Sequence, residues 1–143
     1  MAVAVQWIEL CSSALFASWA LYVSLVEHPA RMSAGPDIAL AQWRPSYARA
    51  APWQAAAALL SLVSGVLASL ATRQWAWLAG GLLVGLAIPF TLIVIMPTNR
   101  RLHDHALTPD QARPLLERWG RLHWVRTLLG ILGLLVLVVQ AHR

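Results

Sequence analysis

The chain has 143 residues, 59% of them hydrophobic and only 12% charged, which excludes an ordinary soluble domain and leaves length for one domain. All 11 basic residues are arginines, and they stand in connections beside long apolar runs, where they act as topology signals and headgroup contacts; the net charge of +5 therefore does not imply a nucleic-acid partner. Cys11 is the single cysteine, which rules out an internal disulfide or a thiolate zinc cluster.

Four apolar runs reach the ~20 residues that cross a ~30 Å hydrocarbon core. They cover 3–26, 52–71, 75–96 and 119–139. The fold class this predicts is an all-α integral membrane protein, a single transmembrane domain over 1–143. It is an antiparallel bundle of four transmembrane helices with an interfacial helical segment in the first long loop. The first run has no basic stretch before it, and Glu9 interrupts any signal-peptide core, so it is expected to be a retained membrane helix.

Along that first run Glu9, Ser13, Phe16, Ala20, Ser24 and Glu27 recur at helical steps and predict a small, polar face turned to the bundle interior. Counting equal residues along antiparallel helices sets Glu9 against Val136 and Arg126 against Trp19, so the two charges do not meet. A carboxyl so placed is either protonated or wet, and the outer interface, with Gln6 as partner, is the expected place. Pro29 biases His28 away from helix, so the span is expected to end there with the imidazole at the boundary. From Ile38 to Ala51 an interfacial helical segment broken at Pro45 is predicted, with Trp43, Tyr47 and Trp53 at headgroup level.

The second run repeats the small face in Gln54, Ala58, Ser61, Gly65, Ala68 and Thr72. The third carries Gly81 and Gly85 at close-packing spacing, then Pro89, which should bend it, and Pro97 with Asn99, which should end it. His103 and His105 diverge if helical, so with Asp104 they form only a weak metal motif. Thr108, Pro109, Asp110 and Gln111 are a helix-start signal, so the fourth helix is predicted to begin before the membrane, with Glu117 and Arg121 paired on the approach. On that helix Trp119, His123, Arg126, Gly130 and Gly133 share one face. An arginine and a histidine at this depth either serve a site, or snorkel and pack.

Arginine counting places Arg31, Arg44, Arg49, Arg100, Arg101, Arg113, Arg118 and Arg121 on one side, against Arg73 and Arg143 on the other. The positive-inside rule then puts both long loops in the cytoplasm and both termini outside. His28, Tyr47, Arg49, Asn99, His103, Trp119, His123 and Arg126 all fall at that cytoplasmic end. The mix suits a flat hydrophobic small molecule with a polar edge.

One reading is an oxidoreductase or oxygenase. His28 or His123 would act as base, Arg126 and Asn99 would stabilise an enolate-like oxygen, and Tyr47, Arg49, Trp43 and Trp119 would hold the substrate. It would use no cofactor, or in a variant a transition metal such as iron or copper held by His28, His103 and His123 with Glu27. The alternative is a non-catalytic membrane protein that binds membrane lipid or a partner subunit, its glycine faces serving a homodimer. A transporter would require a dimer to supply enough spans.

The segments EHPAR (27–31), WRPSYARA (43–50), PTNRRL (97–102) and W-x-x-x-H-x-x-R (119–126) resemble a family of small four-helix membrane proteins. This domain-of-unknown-function family includes the anthrone oxygenases. The resemblance implies a dioxygen-using conversion of a fused-ring anthrone to a quinone. It singles out His28, Asn99, Trp119, His123 and Arg126, and it implies residence in a bacterial inner membrane.

Overall fold

The computed structural model describes residues 2–143. Four long helices make it up: α1 (Ala2–Ser33), α2 (Pro36–Thr72), α3 (Trp75–Leu102) and α4 (Pro109–Ala141), each long and apolar enough to cross a membrane. There is no strand among the described residues. Within a bilayer such helices satisfy their backbone groups internally. Each helix packs against its neighbour in the chain and α1 closes on α4, so the bundle is a four-membered antiparallel ring. Gly35, at φ 93°, makes the turn from α1 into α2, a conformation that side chains with a Cβ rarely adopt. The end where α1 meets α2 and α3 meets α4 is called the connection end below.

The prolines behave differently from the sequence expectation, for a local reason. The first span does not stop at His28. A π turn at Val23–Glu27 widens α1, and Pro29 then enters the first turn of the α-helical stretch His28–Ser33, where its missing N–H is not needed. The same device recurs in α3, where a π turn at Thr91–Ile95 precedes Pro97 and the helix runs on to Leu102 instead of ending at Asn99. Nor is the segment around Pro45 a separate or broken piece. It is the first part of a continuous 37-residue α2 that also contains Pro52. Ala39, Leu40 and Trp43 are buried in the core of the connection end, and that packing outweighs the proline defect. Pro89 does interrupt α3: regular helix ends at Gly85, whose carbonyl Pro89 cannot meet, and resumes at Ala87.

At the start of α4 the capping box is complete, Thr108 receiving the Gln111 backbone N–H while Gln111 Oε1 accepts the Thr108 N–H. Thr108→Ala is expected to cost ~1 kcal/mol locally. Faster amide exchange over the first turn of α4, with unchanged exchange beyond Trp119, is the measurable result. Glu117 pairs with Arg113 at 3.3 Å rather than with Arg121, and both partners are exposed.

The small faces read from the sequence do point inward. Gly65 of α2 and Gly81 of α3 approach so closely that a Cβ on Gly65 would lie 3.1 Å from the Gly81 Cα. Glu9 is fully buried beside this contact, not at a wet interface. Ser64 Oγ donates to Glu9 Oε2 at 2.6 Å, and Ser61 and Ser13 donate to Oε1 at 3.1 and 3.3 Å. Two serines from α2 and one from α1, rather than Gln6, supply the partners that a carboxyl needs at this depth.

Candidate active site at the connection end

Trp119, His123 and Arg126 follow one another down the inner face of α4, and all three are buried. Trp119 is the centre of an aromatic group. The His123 ring stacks on it at 4.9 Å, the His28 ring tilts against it at 5.2 Å, and the Trp43 edge meets it at 5.8 Å. The Arg31 guanidinium lies over the same indole at 5.8 Å, a cation–π contact. Behind Trp43, Tyr47 stacks at 4.9 Å with planes only 10° apart.

The His123 imidazole is held by a short relay. Thr127 Oγ1 lies 3.1 Å from the Ala20 carbonyl, Ser24 Oγ lies 2.8 Å from Thr127 Oγ1, and His123 Nδ1 lies 3.0 Å from Ser24 Oγ. The carbonyl can only accept, so with Thr127 donating to it Ser24 donates to Thr127 and accepts from Nδ1–H. That assignment puts the proton on Nδ1 and leaves Nε2 as the basic nitrogen.

Arg126 is held by one hydrogen bond, Nη2 donating to Gln54 Oε1 at 2.8 Å, while its buried Nε has no partner. Its guanidinium lies over Phe16 at 5.7 Å. Tyr47 Oη accepts from Asn99 Nδ2 at 2.7 Å, which leaves the phenolic hydrogen unused. Glu27 gathers the upper rim: its Oε1 accepts from Arg31 at 2.5 Å, from Gln42 at 3.0 Å and from Ser46.

Glu27, Arg31, Tyr47, Trp119, His123 and Arg126 line a common cavity of about 20 Å³. That is room for a single water-sized molecule. Seven buried side-chain polar atoms lack a partner among the described residues: His28 Nδ1, Arg31 Nε, Gln42 Oε1, Trp43 Nε1, Asn99 Oδ1, Trp119 Nε1 and Arg126 Nε. Every one belongs to the connection end. Folded proteins leave few such groups, and three of the seven, on Arg31, Trp119 and Arg126, belong to residues on the cavity wall, which marks it as a place able to meet a polar ligand.

Several residues expected here stand elsewhere. Arg49 is exposed and donates to the carbonyl of Pro45 in its own helix, so it does not reach the cavity. Asn99 sits behind Tyr47, which it orients, instead of lining the cavity. His103 is exposed and leans on the outer side of the Trp43–Tyr47 pair at 5.1 and 5.8 Å. His28, His103, His123 and Glu27 are consequently not gathered about one point, and no three histidine, cysteine or acidic side chains among the described residues are placed to hold a metal ion. The aromatic rings between the histidines keep them apart. Gln54, Ser24, Thr127 and Arg31 join the site without having been singled out for it, although Ser24 and Gln54 lie on the inward stripes and Arg31 in the EHPAR segment.

Residues 43–136, more than half of the chain, match the family model described as anthrone oxygenase. The match takes in Trp43, Tyr47, Asn99, Trp119, His123 and Arg126 and leaves out α1. No curated protein and no solved structure matches the chain.

Proposed function

From the premise that this chain belongs to the anthrone oxygenase family, we propose that it is a membrane oxygenase acting on a hydrophobic, anthrone- or quinol-like substrate at the connection end, the end that arginine counting assigns to the cytoplasm. His123 Nε2 takes a proton from the ring methylene of the substrate, made acidic by the adjoining aromatic rings and carbonyl. Negative charge then develops on the substrate oxygen, where Arg126 Nε and the free Tyr47 hydroxyl hydrogen receive it. The Trp119 indole on the cavity wall, backed by the edge of Trp43, supplies apolar surface for the substrate. The reduced carbon delivers its electrons to dioxygen: one oxygen atom remains on the carbon as the new carbonyl, and the other leaves as water with the two methylene hydrogens.

The observation that carries this reading is the pairing, around one cavity, of an imidazole whose Nδ1 is occupied by Ser24 with a guanidinium whose Nε is unpartnered. The test is oxygen uptake together with quinone absorbance, measured on the protein in lipid nanodiscs with 1,8-dihydroxyanthrone. Stoichiometric uptake above the spontaneous rate supports the assignment. A rate equal to that of empty nanodiscs would sink it. Ser24→Ala should slow turnover less than His123→Ala, because it frees the tautomer without removing the base.

A further inference from the structure

The inner cavity is far too small for a fused-ring molecule, and the structure offers a second space next to it. Phe16, Gln54, Ala58, Ala87, Thr91 and Arg126 line a cavity of about 70 Å³. It also touches Ala55 and Leu92, both of which are exposed on the lipid-facing side of α2 and α3. The space therefore runs inward from the bilayer between these two helices and ends at the Gln54–Arg126 hydrogen bond. Gln54 and Arg126 line the inner cavity as well, so this one contact separates the two.

Three features suit this place to admitting a ligand. The walls at its throat are alanines, Ala58 and Ala87, which leave room between the helices. The α3 wall is irregular just there, interrupted at Leu86, carrying Pro89, and passing into the π turn at Thr91–Ile95. Such turns lack the regular hydrogen-bond ladder that keeps a helix stiff. At the inner end lies a guanidinium that is nine-tenths buried, with an Nε that no other group meets. An apolar channel that ends in an unused cationic donor fits a molecule with a hydrophobic body and an oxygen at its leading edge.

We propose that the opening between α2 and α3 is a lateral portal through which a flat hydrophobic ligand enters from the bilayer, carbonyl or phenolic oxygen first, and that the Gln54–Arg126 hydrogen bond is its inner gate. The portal is independent of the chemistry; the ligand class rests on the oxygenase reading. The gate opens transiently to let the ligand oxygen reach the unpartnered Arg126 Nε, and α2 and α3 part to admit the rings beside Phe16, the resting space of about 70 Å³ being smaller than a fused-ring body.

A bilayer-soluble aryl diazirine, photolysed with the full-length protein in nanodiscs and mapped by mass spectrometry, tests the portal without any substrate. Labels are expected on Phe16 or Ala58, which are buried and line this space. They should fall to background in Ala55→Trp, a lipid-facing change that covers the opening, and persist in Leu59→Trp, a lipid-facing position outside it. Labels confined to exposed positions such as Leu92 overturn the portal. With 1,8-dihydroxyanthraquinone added, protection of Phe16 that is lost in Arg126→Lys supports the ligand class. Labelling of Phe16 that anthraquinone leaves unchanged keeps the portal and overturns the fused-ring ligand.

Discussion

His123→Ala is expected to lower anthrone turnover by ~10²–10⁴-fold, the usual contribution of a positioned general base. The bundle should still assemble, because the helix crossings rest on glycine contacts such as Gly65–Gly81, and the lost ring removes only one α1–α4 hydrogen bond, to Ser24. Arg126→Lys should lower turnover by ~10²–10³-fold, as for the loss of one donor to a developing oxyanion. An ammonium keeps the charge but cannot offer Nη2 to Gln54 and Nε to a ligand at the same time. Oxygen uptake on both variants in nanodiscs measures the effect. If both variants turn over at the unmodified rate, the site is structural and the protein belongs with the lipid- or partner-binding membrane proteins.

Gly65→Leu should have the largest effect on folding. A Cβ at Gly65 would lie 2.8 Å from the Trp77 carbonyl oxygen and 3.1 Å from the Gly81 Cα, both main-chain atoms that no rotamer change can move. Relief requires α2 and α3 to separate, which also stretches the Ser64–Glu9 hydrogen bond of 2.6 Å. Overpacking of this kind costs ~1–3 kcal/mol, and loosening a buried carboxyl adds to it. Thermal unfolding in detergent, followed by loss of the monodisperse peak, should shift strongly downward. Leu67→Ala, which trims an exposed side chain of the same helix, should leave it nearly unchanged. A Gly65→Leu protein as stable as the original would mean that the helices are less tightly held than this contact implies.

Much of the bundle is written in periodicity. The stripe from Glu9 to Ser24 and the face from Gln54 to Ala68 are both inward and buried, and so is the run from Trp119 to Gly133, because small and polar residues on a membrane helix have nowhere else to be satisfied. The prolines misled because their effect depends on what precedes and surrounds them. Pro29 and Pro97 follow π turns, and Pro45 is held by the burial of Trp43, and none of these conditions has a local sequence signal. Glu9 misled likewise, since its three hydroxyl partners include two from another helix.

The four spans, the inward faces and the concentration of histidine, aromatic and arginine residues at one end were determined by the sequence alone, through hydropathy and helical spacing. Which of those residues share a cavity was decided only by the tertiary structure. Arg49 and His103 lie on the same end as His123 but point away from it, Asn99 acts through Tyr47, and Gln54 meets Arg126 across the bundle. Spacing along one helix fixes the face a residue occupies, whereas the rotation and depth of each helix against its neighbours, set by glycine contacts and buried hydrogen bonds, fix which side chains meet.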